Sequence, residues 1–249
     1  MTAAGRWPWF ELNVPNPAQG VAFYGAVLGW EATSMDMGGT PYHMMGPPGG
    51  AQGCGVVTPE GGGGSQWVGY ITVSSVDEAA ARAAAAGGQV VVPAMDVPTV
   101  GRMACVVDPE GATFWLFTPE QADGSGNHAP GFYWMELHSD DPEAAAAFYA
   151  KVVGVGIDTM PMSGGTYFLL EGPERAASGI CAKMMNGAPS MWLAWASVDN
   201  ADAALERAVA AGGQVLAPAF DVEGIGRMGI LQDDQGVVLG VITPAPRAA

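Results

Sequence analysis

Trp134, Glu136 and His138 occupy alternating positions, and so do Trp9, Glu11 and Asn13. In an extended strand such positions share one face, while Phe10, Leu12 and Val14, or Met135 and Leu137, share the other. The apolar set packs under a helix, which leaves each glutamate beside an indole in a cavity. Desolvation there raises a carboxyl pKa and makes a general acid or base that works near neutrality. His138 is close enough to Glu136 to share or relay its proton, whereas Asn13 cannot titrate. Glu136, His138 and Glu11 are therefore the candidate catalytic residues, with the second set the more capable. A structural role stays open for each glutamate, since an inward carboxylate also accepts N–H donors and ties a barrel together.

The elements that position these residues are written twice. Trp9, Glu11, Phe23, Tyr24 and Gly29 recur as Trp134, Glu136, Phe148, Tyr149 and Gly154, an offset of 136 − 11 = 125. Trp67, Gly87-Gly88-Gln89-Val90 and Pro93 return as Trp192, Gly212-Gly213-Gln214-Val215 and Pro218, and Gly101-Arg102-Met103 returns as Gly226-Arg227-Met228. A repeat of this length is a duplicated domain. It sets domains at 1–120 and 132–249, joined by a linker at 121–131. Each half divides again. Trp9–Val14 alternates as a strand, Pro15-Asn16-Pro17 turns, and Ala18–Leu28 has helical spacing that stops at Gly29. Val68–Val73 is a strand and Val76–Ala86 an alanine-rich helix, with further helices near Pro142–Val153 and Ala201–Ala211. Short strands follow each helix, as in Glu31–Met37, Thr40–Gly46 and Cys54–Thr58, with a turn at Gly38-Gly39 and loops at Pro47–Gln52 and 61–64. The class is α+β, a β-α-β-β-β unit four times over.

Acidic residues outnumber basic ones 25 to 9 for a net charge of −16, which argues against nucleic acid and anionic membrane as partners. No stretch reaches the roughly 20 apolar residues of a membrane span, and the N-terminus lacks a signal segment, so a cytoplasmic protein is expected. Cys54, Cys105 and Cys181 show no CxxC spacing and sit among small or apolar residues, as buried reduced thiols do. The 14 methionines and 8 tryptophans suit an irregular, planar, apolar guest. Met35, Met37, Met44, Met45, Met160, Met162, Met184 and Met185 fall on the expected middle strands. Alternation adds Tyr70 and Thr72, then Trp195 and Ser197, to the facing strands. The candidate ligand walls are Trp9, Asn13, Tyr70, Trp115, Trp134, Trp195 and Met184, and the partner a hydrophobic or aromatic small molecule.

Phe23–Trp30 (FYGAVLGW), its echo Phe148–Val155 (FYAKVVGV), the segments AAAAGGQVV and AVAAGGQVL, and Gly101–Gly111 (GRMACVVDPEG) resemble the vicinal oxygen chelate superfamily. That group includes glyoxalase I, bleomycin-resistance proteins and extradiol dioxygenases, and tandem glyoxalase-like members are the nearest likeness. The resemblance implies two open, U-shaped, eight-stranded barrels, each from two βαβββ units, with ligands on the concave faces. In metal-using members, donors come from the first residue of a unit's opening strand and from a glutamate in its last strand. Those positions fall here on Trp9 and Trp134, about Val68 and Leu193, and Trp115 and Gly240. Indole, isopropyl and glycine do not coordinate divalent cations. The expectation is therefore no cofactor and no standard metal site. A metal-independent lyase, isomerase or tailoring enzyme for a hydrophobic metabolite is one reading. A protein that sequesters an antibiotic is the second, and a glyoxalase-like lyase or dioxygenase with a non-standard metal at Glu11, Glu136 or His138 the third. Monomer and homodimer both satisfy the strand pattern.

Overall fold

Short polar side chains start the α-helices among the described residues. In the computed structural model, which describes residues 4–36, 41–59, 64–121, 126–162, 164–184 and 187–246, α1 (Pro17–Leu28) is capped by Asn16 and α2 (Val76–Ala85) by Ser75. Asp141 caps α3 (Pro142–Tyr149) and Asn200 caps α4 (Ala201–Ala210). Each side-chain oxygen accepts an otherwise orphaned backbone N–H of the first turn. Gly29 closes α1 at φ 71°, where a side chain would be strained. α3 instead runs into a π-helical turn, Ala150–Gly154.

The strands of the first repeat are β1 (Trp9–Asn13), β2 (Glu31–Asp36), β3 (Pro41–Gly46), β4 (Cys54–Val57), β5 (Gln66–Thr72), β6 (Gln89–Val97), β7 (Gly101–Val107) and β8 (Thr113–Pro119). Those of the second are β9 (Phe132–Ser139), β10 (Ile157–Met162), β11 (Gly165–Glu171), β12 (Ala176–Ala182), β13 (Met191–Ser197), β14 (Gln214–Val222), β15 (Gly226–Gln232) and β16 (Val238–Pro244). This is the α+β pattern of four βαβββ units. Within each unit the opening strand pairs in parallel with the last, as in β1 with β4, β5 with β8, β9 with β12 and β13 with β16. A parallel pair needs a crossover, which the helix supplies. The strands form two eight-stranded sheets, ordered β2-β3-β4-β1-β5-β8-β7-β6 and β10-β11-β12-β9-β13-β16-β15-β14, neither closed on itself. Met37, Gly38-Gly39, Thr40, residues 61–63, Met185 and linker residues 122–125 lie outside the described residues.

By packing, the chain forms two compact units, each drawing on both repeats. One is Met1–Trp9, Val68–His128 and Trp134–Trp192, and the other is Phe10–Trp67, Ala129–Tyr133 and Leu193–Ala249. Their cores are built alike. In the first, Trp192 donates to Tyr149 at 2.9 Å and Tyr149 donates to Asp108 at 2.9 Å. In the second, Trp67 donates to Tyr24 at 3.2 Å and Tyr24 to Asp233 at 3.0 Å. Trp and Tyr come from one repeat and Asp from the other, so each core needs both copies. Burial raises both tyrosine hydroxyls well above their ordinary range, so each keeps its proton and donates it, and burial raises both carboxyls too. Arg82 likewise donates to the Val152 carbonyl at 2.8 Å, and Arg207 to that of Val27 at 2.7 Å, where the helical segments leave carbonyls unpaired. The second core adds Phe132, stacked on Phe10 at 3.8 Å and edge-on to Trp30 and Trp67.

The copies are not in one constant register. Glu11 lies opposite Gly55 and Glu136 opposite Gly179, and 179 − 55 = 124 rather than 125. The slip falls between β3 and β4 and is recovered by Trp67 and Trp192. It makes Val57, opposite Asn13, the counterpart of Cys181, opposite His138. No helix among the described residues is long and apolar enough to cross a membrane.

Candidate functional site

β9 places Glu136 and His138 on one face, since Met135 and Leu137 between them are wholly buried. The glutamate is 9% exposed. His138 Nε2 lies 2.8 Å from Glu136 Oε1. Whether Nε2 donates or accepts in this contact depends on the imidazole tautomer. The other oxygen, Oε2, accepts the Tyr167 hydroxyl of β11 at 2.6 Å, and Tyr167 in turn accepts the Trp134 indole N–H at 2.9 Å. Burial first, and the Glu136 charge second, hold the phenol well above its ordinary range, so Tyr167 keeps its proton and donates it. Gly179 makes this reach possible, because a methyl group there would run into the Tyr167 hydroxyl and ring.

Cys181, directly across the parallel pair from His138, completes the group. One donor atom each from Glu136, His138 and Cys181 lie within 4.8 Å of one another. Burial, with the Glu136 charge behind it, pushes the thiol up to about 12, so the sulfur is protonated at neutral pH. Sequence reasoning placed Glu136 and His138 together, and the structure does the same. It missed Tyr167 and Cys181. The signal for the tyrosine was its repeat partner Tyr42, at 167 − 42 = 125.

The first repeat carries the same frame with different contents. Tyr42 donates to Glu11 Oε1 at 3.3 Å over Gly55, where a methyl group would again meet the phenol. Asn13 and Val57 stand where the second repeat has His138 and Cys181. Glu11 thus has a tyrosine donor, and its strand offers no imidazole.

The remaining predicted residues take varied places. Tyr70 and Trp115 stack with ring planes 2° apart and centroids 5.4 Å apart, forming a flat aromatic pair. Trp195 is 1% exposed, packs where a Gly240 side chain would be, and has no hydrogen-bond partner for Nε1 among the described residues. Trp9 is half-buried at the start of β1, on the face of Glu11 and Asn13. Met184 is not on a middle strand: it follows β12 in a bend and is 55% exposed, because the strand ends at Ala182. Met45 is wholly buried, while Met35, Met160 and Met162 are exposed on outer strands. His43 pairs with Ser34 at 2.7 Å, and His128 with the Ala177 carbonyl at 2.6 Å beside Trp134. Burial lowers His128 to about 4, so it is neutral.

The positions from which metal-using relatives draw donors do not fit an ion. Trp134 spends its N–H on Tyr167, Val68 and Leu193 are core residues, Trp115 is stacked, and the Trp195 ring takes the space a side chain at Gly240 would need.

The sequence profile of the Glyoxalase/Bleomycin resistance protein/Dioxygenase superfamily matches residues 6–116 and again 131–241. The chain belongs to this superfamily. CFP32 of Mycobacterium tuberculosis, provisionally named a glyoxylase, is 34% identical over 96% of this chain and 95% of its own. The anthracycline biosynthesis protein DauV of Streptomyces sp. (strain C5) is 29% identical over 96% of this chain and 94% of its own. Among solved structures, the Mn(II)-bound glyoxalase from Novosphingobium aromaticivorans superposes with a TM-score of 0.64 at 15% identity, over 98% of this chain and 83% of that one. At that identity the likeness is one of fold.

Proposed function

We propose that the chain binds a hydrophobic or aromatic small molecule and, in the second repeat, acts on it by acid–base catalysis without a metal at the superfamily's usual positions. The observation that carries this is the hydrogen-bonded chain Trp134, Tyr167, Glu136, His138. Tyr167 fixes one carboxylate oxygen, leaving the proton between Glu136 and His138 to move to or from a bound carbon or oxygen acid. The reaction class is a lyase, isomerase or tailoring step. The relative named for anthracycline biosynthesis supports a planar polycyclic guest, and so do the candidate walls Trp9, Asn13, Tyr70, Trp115 and Trp134. The two repeats, 1–120 and 132–249, act as one binding module each, joined by 121–131. The buried reduced thiols fit a reducing cytoplasm, and the net charge of −16 fits a protein that avoids nucleic acid and membrane surfaces. Its assembly is a monomer or homodimer.

An anthracycline aglycone is the probe, with binding read by tryptophan fluorescence and conversion by chromatography. Glu136→Gln lowers conversion by roughly 100-fold or more and leaves binding nearly intact. Lost binding with turnover preserved in the remaining complex would sink the reading. A second reading, sequestration without chemistry, is favoured by the flat Tyr70–Trp115 pair and predicts a ligand-dependent rise in Tm with no product.

A further inference from the structure

We propose that Glu136, His138 and Cys181 form a binding site for a thiophilic divalent cation of the Zn2+ or Co2+ class, at positions other than those used by the superfamily's metal-dependent members. The three donor atoms already lie within 4.8 Å of one another and supply one oxygen, one nitrogen and one sulfur. Three protein ligands with a fourth position open is the arrangement of a reactive rather than a purely structural zinc site. Tyr167 and Trp134 act as the outer shell: the phenol holds Glu136 Oε2 at 2.6 Å and leaves Oε1 aimed toward His138. A single carboxylate suits neither Ca2+ nor Mg2+, which take six or more oxygen ligands, whereas thiolate and imidazole select softer ions.

The repeat supplies an independent argument. Between the copies the glutamate, the tyrosine and the facing glycine are kept, as Glu11, Tyr42 and Gly55. The two positions that differ, Asn13 against His138 and Val57 against Cys181, face each other across one strand pair. Both differ in the direction of a metal donor. A cysteine serving only as packing needs no imidazole opposite it.

Binding replaces the thiol proton, which leaves to solvent, and forms the metal–sulfur bond. The inference does not rest on the acid–base reading, and the two are separable. A protein that binds no cation and still converts its ligand overturns only the metal site. A protein that binds the cation but loses no turnover in Glu136→Gln overturns only the acid–base role.

The test is titration of the chelator-stripped full chain with Co2+. One equivalent gives a sulfur-to-cobalt charge-transfer band in the near ultraviolet, which excess Zn2+ removes. Cys181→Ala abolishes the band and Cys105→Ala retains it. His138→Asn, the residue the first repeat tolerates on the matching strand, keeps the native circular dichroism. It weakens Co2+ binding by more than about 100-fold, beyond what loss of an outer-shell partner causes. No band in natively folded protein, a band that survives Cys181→Ala, or unchanged affinity in His138→Asn overturns the site.

Discussion

Gly179→Ala is the sharpest test of how the Glu136 site is assembled. The residue lies directly opposite Glu136 in the β9–β12 pair, and its backbone is outside the left-handed region, so alanine introduces no strain of its own. Its methyl group would, however, occupy the place of the Tyr167 hydroxyl and ring edge. Tyr167 must then swing away, breaking the 2.6 Å bond to Glu136 and the 2.9 Å bond from Trp134. The charged bond contributes about 1.5–3 kcal/mol and the neutral one about 0.5–1.5 kcal/mol. Alanine in a strand returns about 0.5–1 kcal/mol relative to glycine. The net loss is therefore about 1–4 kcal/mol. Urea unfolding of Gly179→Ala, Tyr167→Ala and the double variant isolates the cause. Without the tyrosine ring the methyl group meets nothing, so the substitution becomes neutral or slightly stabilising and the cycle shows a coupling of about 2–4 kcal/mol. A loss of the same size in the Tyr167→Ala background, or none beyond about 0.5 kcal/mol in the wild-type one, refutes the clash-and-release argument.

The buried neutral His128 makes stability depend on pH. Its folded value of about 4 lies below the ordinary 6.5, so its contribution is complete above 6.5 and is lost as pH falls through 4; that separation bounds it at about 3 kcal/mol. His128→Gln keeps an N–H for the Ala177 carbonyl and flattens Tm between pH 6.5 and 4, whereas identical slopes for the two proteins refute the assignment. Tyr149→Phe strands the Trp192 N–H and takes a donor from Asp108, at a cost of about 2–4 kcal/mol in chemical unfolding. A loss below about 0.5 kcal/mol means that the chain is not a load on the core.

Much of this was legible because it is local. Alternation along β1 and β9 set the inward faces, and Gly29 marked where the first helix stops. Glu136 and His138 are two residues apart, so strand geometry alone joins them. Cys181 and Tyr167 are brought in by strand pairing, which sequence spacing does not display. A constant offset even misdirects: 181 − 125 = 56 pairs Cys181 with the wholly buried Val56, whereas the one-residue slip pairs it with Val57. Reading Cys181 as a buried thiol was sound as far as burial goes, since it is 2% exposed. A side chain can be buried and still point at a site.

The contrast between the two kinds of repeated feature explains how the two copies come to differ in titratable side chains. The Trp–Tyr–Asp chains are the same in both compact units because each member satisfies a buried polar neighbour, and changing one strands another in a medium where an unpaired group costs about 1–3 kcal/mol. Glu11 and Glu136 share that constraint through Tyr42 and Tyr167. Positions 13 and 138, and 57 and 181, lie outside the Trp–Tyr–Asp chains and the Tyr–Glu bonds, on paired strand faces, so they can vary without breaking either. In the first copy that freedom gives an amide facing an isopropyl group, able to bind but not to exchange a proton. In the second it gives an imidazole facing a thiol beside an oriented carboxylate. The duplication thus fixes the frame twice, while the β1–β4 pair and its counterpart β9–β12 differ in titratable side chains.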